Sequence, residues 1–301
     1  MGLVALGNPY LLKSFPIVAG YLATYSNTPT ADLAAVKALF GEIKLNPSPS
    51  PDSPTTATAS RCLPVPSKLV LMVEITWLGH GSFQLRLDSG EIILLDPWFT
   101  GNPKYPAGHV LDRCDAILVT HGHGDHIADV IPTAKKFNAP VVAAHEISEW
   151  LGTKGVDNRG MGKGGTQRIA GVAVTMTHAV HSSSIEAGEG GILYGGEAAG
   201  YVLTFADGRA LYFSGDTNVF SDMALIEELY KPELCILSIG DHYTMGPREA
   251  ALACRLLKAR KVIGMHWGTF PLLSGSPEKL AELAPAGTEI LNMEPGETIR
   301  W

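Results

Sequence analysis

The sequence predicts an α/β fold in which mixed β-sheets carry helices on their outer faces. From residue 72 onward, short apolar runs separated by Gly- or Asp-containing turns indicate strands, and amphipathic segments between them indicate helices. Sheets and helices of this kind bury their apolar faces against each other in layers. With 46% apolar and 18% charged residues among 301, the chain has the composition of a globular protein with a substantial core.

The first predicted strands form an antiparallel opening followed by a β-α-β unit. Asp88-Ser89-Gly90 is a turn signal between two strand-like runs, which predicts a hairpin there. A helix predicted near Ile127–Phe137 separates the last two runs, as a crossover between parallel strands requires. The predicted strands of this part are Val73–Leu78, Phe83–Leu87, Ile92–Leu95, Ala116–Thr120 and Val141–Ala144.

The second part of the domain again mixes hairpins and helical crossovers. Ala206-Asp207-Gly208 predicts a hairpin turn. Helices predicted near Asp222–Tyr230 and Arg248–Leu257 alternate with the last strands. The predicted strands of this part are Val172–Met176, Tyr201–Phe205, Ala210–Phe213, Leu234–Leu237 and Val262–Gly264.

The first 71 residues differ in composition and sequence pattern from the rest. Residues 46–60 are rich in Pro, Ser and Thr and cannot build a core, and a helix capped by Thr30 or Asp32 is predicted before them. We therefore divide the chain into a partly disordered N-terminal extension, residues 1–71, and a globular domain, residues 72–301. Met72 is a candidate start for a chain without the extension. Lys13 interrupts the N-terminal apolar run, so we expect no signal peptide and a cytoplasmic protein.

The segment 120–126, Thr-His-Gly-His-Gly-Asp-His, directly follows the apolar run 116–119. Its two glycines let the backbone curl so that several side chains converge. Imidazole and carboxylate groups are the ligands that hold zinc, iron or manganese. A loop after a strand places such ligands at the carboxyl edge of a sheet, where α/β sites are usually found. The segment therefore predicts a metal site with these ligands: His121, His123, Asp125 and His126.

Three further candidate ligands, His181, Asp216 and His266, each follow a strand-like run. The combined set is sufficient for two divalent metals, with Asp216 left to bridge them. A hydroxide shared by two cations is a nucleophile at neutral pH, because coordination lowers the pKa of water from about 15.7 to near 7. The nitrogen and oxygen ligands favour zinc, and manganese, iron and nickel are compatible with them.

The H-x-H-x-D-H motif, followed in order by the three downstream ligands, resembles the metallo-β-lactamase superfamily. More strings carry the resemblance: Ile75-Thr76-Trp77-Leu78-Gly79-His80-Gly81, Asp96-Pro97, Thr100-Gly101-Asn102-Pro103, residues 158–166, His181-Ser182-Ser183, Gly215-Asp216-Thr217, Asp222-Met223, Thr244-Met245-Gly246-Pro247 and residues 266–271. They are similar to small bacterial metal-dependent hydrolases close to the L-ascorbate-6-phosphate lactonases and, more remotely, to N-acylphosphatidylethanolamine phospholipases D. The resemblance covers residues 72–301 and none of 1–71.

The resemblance implies a four-layer αβ/βα sandwich of two mixed β-sheets flanked by helices. It implies one metal on His121, His123 and His181, a second on Asp125, His126 and His266, and Asp216 between them. The choice of His181 over His178 rests on the His-Ser-Ser match. Asp216 stands where true β-lactamases have a cysteine, so antibiotic hydrolysis is not expected.

Four positions near the motifs have more than one interpretation. Asp96 either orients a ligand histidine or forms a plain turn. His80 either points toward the site or is structural. His242 either donates a proton to a leaving oxygen or makes a structural hydrogen bond. The stretch Gly160–Gly165, which contains Lys163, is a candidate mobile loop over the substrate.

These observations predict a metal-dependent hydrolase in which a hydroxide between two metals cleaves a lactone or other carboxylic ester. Asp125 and His242 are the candidate catalytic residues. The formal charge is −7, and because residues 1–71 carry a net +2, residues 72–301 carry −9, which disfavours a polyanionic partner. A phosphodiesterase or nuclease of the same fold and a non-catalytic metal-binding protein stay open as alternatives.

The expected partner is a small-molecule substrate. We expect no nucleic-acid partner because of the acidic charge. We expect no membrane partner because no apolar run approaches the roughly 20 residues of a membrane span. The sequence leaves a homo-oligomer open.

Overall fold

The structure is a computed structural model that describes residues 2–6, 20–24, 71–188 and 190–301. The chain divides into two units, Met1–Leu69 and Val70–Trp301. In the first unit, strands β1 (Gly2–Leu6) and β2 (Gly20–Thr24) pair in parallel. The linker predicted at 46–60 and the helix predicted after Thr30 lie outside the described residues.

The second unit contains the other strands and helices that the structure describes. Its strands are β3 (Val73–Trp77), β4 (Phe83–Leu87), β5 (Ile92–Leu95), β6 (Ala116–Leu118), β7 (Val141–Ala144), β8 (Asn158–Met161), β9 (Thr166–Ile169), β10 (Val172–His178), β11 (Ser184–Ala187), β12 (Gly191–Tyr194), β13 (Ala199–Thr204), β14 (Ala210–Phe213), β15 (Leu234–Ser238), β16 (Lys261–Met265), β17 (Glu289–Leu291) and β18 (Thr298–Arg300). Its helices are α1 (Gly124–Ile127), α2 (Val130–Phe137), α3 (His145–Thr153), α4 (Met223–Tyr230), α5 (Pro247–Leu256) and α6 (Pro277–Leu283).

Two seven-stranded mixed sheets form the centre of this unit. Their strand orders are β18-β3-β4-β5-β6-β7-β8 and β17-β16-β15-β14-β13-β10-β9, and β11 and β12 form a separate hairpin. Alternate residues of a strand face opposite sides of its sheet. In β5, Ile93 and Leu95 therefore join the core shared by the two sheets, whereas Ile92 and Leu94 pack with α2 and α3. Helices α4, α5 and α6 cover the other sheet in the same way. The result is the predicted four-layer arrangement of helices outside two mixed sheets.

The directions of the strands bring the predicted ligands to the sheet edges. In the first sheet β3, β5 and β6 run in one direction, and in the second β10, β14 and β16 do. Each of these six strands is followed by a candidate site residue in the next few positions. Parallel strands have their carboxyl ends on the same edge, so the fold collects these residues.

Two predictions about local structure need correction. The helix predicted near Ile127–Phe137 is two helices, α1 and α2. The helix is interrupted before Val130, at Asp129. The carboxylate of Asp129 accepts hydrogen bonds from the backbone N–H groups of Phe99 and Thr100 at 2.6 and 2.8 Å. The stretch predicted as a mobile loop is partly strand, because Gly160 belongs to β8, and the backbones of Gly164 and Gly165 bond to Met176.

Among the residues that the structure describes, no helix is long and apolar enough to cross a membrane.

Candidate metal centre

The seven predicted ligands converge at the meeting edges of the two sheets. Six of them fall into two clusters, and the seventh, Asp216, belongs to neither. In the first group, His121, His123 and His181, the potential ligand atoms all lie within 4.8 Å of one another. In the second group, His80, Asp125, His126 and His266, the same limit holds. The second group thus includes His80, which the sequence analysis left between two interpretations.

Asp216 lies between the two groups and is buried. Its Oδ2 atom lies 2.9 Å from His266 Nε2 and 3.4 Å from His126 Nε2, both in the second group. The same oxygen lies 3.8 Å from His181 Nε2 in the first group. A single carboxylate oxygen therefore faces imidazoles of both groups, as a bridging ligand requires.

The second group is organised around the carboxylate of Asp125. Asp125 Oδ2 lies 3.0 Å from His80 Nε2, 3.8 Å from His266 Nε2 and 3.9 Å from His126 Nε2. All three imidazoles are buried. This half of the site is therefore a cluster of three buried imidazoles around one half-exposed carboxylate, with Asp216 on its other side.

The first group is a cluster of three imidazoles without a carboxylate of its own. The His121 ring centroid lies 4.6 Å from that of His123 and 5.1 Å from that of His181, with the rings nearly perpendicular. Ser183 Oγ accepts a hydrogen bond from the Gly122 N–H at 3.2 Å, which ties the loop of His181 to the loop of His121.

Asp96 holds the imidazoles from behind, directly and through Thr120. Its Oδ2 lies 2.8 Å from His126 Nδ1, which agrees with the first of its two interpretations, that it orients a ligand histidine. The Thr120 hydroxyl also donates to Asp96 Oδ2, and Thr120 Oγ1 lies 2.9 Å from His121 Nδ1. These contacts occupy the Nδ1 atoms of both rings, so their Nε2 atoms are left to bind a ligand.

Several buried polar atoms at the centre have no hydrogen-bond partner among the described residues. They are His121 Nε2, His126 Nε2, His266 Nδ1 and Asp216 Oδ1. Buried polar atoms are nearly always paired, so a cluster of unpaired ones requires a bound group. Nitrogen and carboxylate oxygen atoms in this arrangement fit divalent metal ions.

The charges of the centre shift its pKa values in opposite directions. Burial would lower the pKa of His126, but the charges of Asp216 and Asp125 raise it well above its ordinary value. Burial likewise opposes the rise for His266, yet the charge of Asp216 raises its pKa to about 9. For His121, burial lowers the pKa well below its ordinary value, and the neighbouring charge of His126 lowers it further.

Three site residues hold a strained backbone. His80, Asp96 and His266 have φ values of 55°, 44° and 58°, in the left-handed region that costs energy for residues other than glycine. Such strain concentrates at functional sites, where the surroundings keep it in place. A side chain at Gly81 would also meet the His126 ring, since a Cβ atom there would lie 2.7 Å from His126 Cε1. The centre therefore depends on local backbone geometry as well as on its ligands.

Comparisons with known proteins place this centre in a family. A family model described as a beta-lactamase superfamily domain matches residues 91–267. A UPF0173 metal-dependent hydrolase of Solibacter usitatus is 60% identical over 231 residues, which cover 76% of this chain and 100% of that protein. The chain belongs to the UPF0173 family of metal-dependent hydrolases. A Koribacter versatilis member is 48% identical, over 75% of this chain and 97% of its own.

Solved structures agree with this assignment. Igni18, a metallo hydrolase from the archaeon Ignicoccus hospitalis, is 34% identical and aligns with a TM-score of 0.65 over 76% of this chain and 98% of its own. A putative metal-dependent hydrolase from Parabacteroides distasonis, 24% identical, shares the fold with a TM-score of 0.59 over 75% of this chain and 94% of its own. The protein is a metal-dependent hydrolase with the metallo-β-lactamase fold.

Two histidines of the UPF0173 hydrolase lie apart from the two groups. His178 is exposed; its Nδ1 lies 3.0 Å from Lys163 Nζ and its ring packs on Phe220 at 5.1 Å. His242 is also exposed, and its ring packs on Tyr243 at 4.4 Å. Gly240, two residues before His242, touches the backbone of His266 so closely that a Cβ atom would overlap its carbonyl oxygen. The His242 loop is thus a neighbour of the centre, and the catalytic role predicted for His242 stays a prediction.

Proposed function

We propose that the protein hydrolyses a carboxylic ester, foremost a lactone, with two divalent metal ions, foremost zinc. The observation that carries this proposal is the position of Asp216 Oδ2, within 3.8 Å of imidazole nitrogens from both groups. A carboxylate so placed has a role in a site for two ions, because it offsets their mutual repulsion. A site for one ion would need no such contact with both groups.

The proposed ligands follow the two groups. His121, His123 and His181 hold the first ion, Asp125, His126 and His266 hold the second, and Asp216 contacts both. When bound, such a pair of cations provides a nucleophile from water at neutral pH and polarises the carbonyl of the substrate. The chain itself fixes His126 through Asp96 and buries the imidazoles of the second group away from bulk water.

We also propose that His242 donates the proton that the leaving oxygen requires. Its exposed ring lies on a loop packed against His266, so it can approach a substrate without being a ligand. Asp125 serves the reaction as a ligand and, through its half-exposed carboxylate, as the polar group nearest to incoming substrate in the second group.

A cleft of about 440 Å³ lies near this edge of the sheets, and the residues that line it are other than the proposed metal ligands. It adjoins the ends of β7 and β8, next to β6 and its metal loop. Its lining is partly apolar, with Met161, Met176 and Tyr194, and partly charged, with Glu197 and Lys163. The Lys163 ammonium lies 2.7 Å from the Glu197 carboxylate. The size is in the range of ligand pockets, roughly 300–1,000 Å³, and suits a small organic ester better than a polymer.

The deciding experiment measures metal content and turnover on one preparation. The substrates are a lactone series, p-nitrophenyl esters and bis-p-nitrophenyl phosphate, with and without a chelator. We expect about two ions per chain, chelator-sensitive activity and preference for lactones or carboxylic esters. His123→Ala should abolish turnover, whereas His178→Ala, a matched histidine outside both groups, should leave it unchanged. Preference for the phosphodiester would replace the proposed substrate class, and full activity of His123→Ala would contradict the ligand assignment.

A further inference from the structure

His80 contacts two of the proposed second-ion ligands through different atoms. The residue lies three positions after the end of β3 and is fully buried. Its Nε2 lies 3.0 Å from Asp125 Oδ2, and its Nδ1 lies 2.9 Å from Thr269 Oγ1. Its carbonyl oxygen accepts a hydrogen bond from the His266 N–H at 3.1 Å. No predicted ligand role was assigned to His80, yet it is one of the most connected residues of the centre.

The hydrogen bonds define which nitrogen carries the proton. An ionised carboxylate can only accept, so His80 Nε2 donates to Asp125. Nδ1 is then the acceptor of the hydrogen bond that the Thr269 hydroxyl donates. Both ring nitrogens are therefore in use, and neither has a lone pair for a metal ion. His80 is close enough to be a ligand, but its partners give it a different task.

The backbone of His80 is strained in a way that serves this task. Its φ of 55° lies in the left-handed region. Besides the His266 N–H, the indole Nε1–H of Trp77 donates to the same carbonyl oxygen at 3.0 Å. These two bonds hold the carbonyl toward His266 while the ring reaches Asp125. Strain of this kind persists only where the surroundings fix it.

We propose that His80 is the positioning residue of the second metal ion. Its ring aligns the Asp125 carboxylate, from a backbone that also holds His266, and it has no part in binding the first ion. This inference rests on the proposed two-metal function and identifies a residue that determines the affinity for one of the two ions.

Two substitutions separate the hydrogen bond from the packing of the ring. The side-chain amide nitrogen of His80→Gln reaches about as far as imidazole Nε2 and can still donate to Asp125. The shorter side chain of His80→Asn reaches only about as far as Nδ1 and cannot. Asparagine tolerates the left-handed backbone better than most residues, so His80→Asn should fold. We expect His80→Asn to weaken binding of the second ion by about 10- to 100-fold, the usual effect of a lost partner behind a ligand, and His80→Gln to restore most of it.

The effect is assigned to one ion by making the two substitutions in two backgrounds. His123→Ala disables the first site and leaves the second, whereas His266→Ala does the reverse. Zinc affinity is measured by competition with a chromophoric chelator. We expect His80→Asn to weaken zinc binding in the His123→Ala background and to leave it unchanged in the His266→Ala background. Equal losses in both backgrounds, no loss in the first, or equal losses for Asn and Gln would each overturn the proposal.

The result is independent of catalysis because its readout is affinity. A wild-type chain that binds two zinc ions but hydrolyses no ester would contradict the proposed function alone. The role of His80 would then still be decided by the two backgrounds.

Discussion

The first and second groups of candidate ligands are held in place in different ways. The first group has no carboxylate of its own, and two of its members, His123 and His181, are half-buried. The second group is buried around Asp125, and Asp96 and Thr269 bond to its imidazoles from behind. The chain therefore positions the ligands of the two proposed ions to different degrees. The second site is shaped by hydrogen bonds from Asp96 and Thr269 to its imidazoles.

The two groups also differ in the protonation that the chain favours. Burial lowers the pKa of His123 and His181, which favours the neutral imidazole that binds metals. In the second group, Asp216 outweighs burial and raises the pKa of His126 and His266. The surroundings therefore shift the pKa values of His126 and His266 in the opposite direction to those of His123 and His181.

The largest expected effect is that of Asp216→Asn, because Asp216 is the one proposed ligand that faces both groups. The substitution keeps the size of the side chain and removes its charge. We expect the zinc content to fall from about two ions to fewer than one per chain. We expect kcat/KM for ester hydrolysis to fall by more than about 100-fold. This exceeds the loss of about 10- to 100-fold that is usual when a residue hydrogen-bonded to a metal ligand is replaced.

Metal analysis of purified Asp216→Asn and steady-state kinetics test this prediction. Circular dichroism would establish that the variant is folded. The loss of one ion with the other retained at full affinity would show that Asp216 belongs to a single group.

A smaller effect is expected for Asp96→Asn, which alters the support of both groups unequally. The Asp96 carboxylate bonds directly to His126 in the second group but reaches His121 in the first only through Thr120. We expect the affinity for the second ion to fall by about 10- to 100-fold and that for the first ion to fall less. Zinc titrations in the His123→Ala and His266→Ala backgrounds measure the two losses. A larger loss at the first site would reverse the comparison.

Much of the fold and of the candidate site was predictable because local pattern and chemistry agree there. Strands such as β5, β7 and β14 were predicted with their observed bounds, since they are continuous apolar runs closed by turn residues. The ligand loops follow strands that run in the same direction, so the sequence order of the motifs already indicated convergence. The pairing of the ligands came from the family resemblance. The structure brings His121, His123 and His181 together, and it brings Asp125, His126 and His266 together with His80.

What could not be predicted depends on contacts between distant residues or on weak local signals. Strand β18 consists of Thr298, Ile299 and Arg300, a short segment with alternating exposure that becomes a strand only by pairing with β3. The strand β8, Asn158–Met161, has no apolar run of its own. The task of His80 is defined by Asp125 and Thr269, 45 and 189 residues away, and no motif encodes those distances.

The smallest expected effect compares one glycine from each group, Gly81 and Gly122. Neither has a positive φ, so alanine at either position tests only the space around the Cβ atom. At Gly81 that atom would lie 2.7 Å from His126 Cε1, and at Gly122 it would lie 2.8 Å from both Ile185 Cγ1 and the backbone oxygen of Ser184. His126 cannot yield easily, because Asp96 fixes its ring, whereas Ile185 belongs to the hairpin β11–β12, which pairs with no other described strand.

We therefore expect Gly81→Ala to destabilise the protein by about 1–3 kcal/mol, the usual cost of overpacking, and to lower the affinity for the second ion several-fold. Gly122→Ala should displace the hairpin instead and leave both zinc affinities within about twofold, because a two-stranded hairpin adapts more readily than a buried ring held by a carboxylate. Thermal unfolding and zinc competition on the two variants measure these effects. If Gly122→Ala lowered the affinity for the first ion as much as Gly81→Ala lowers that for the second, the first group would be held as rigidly as the second.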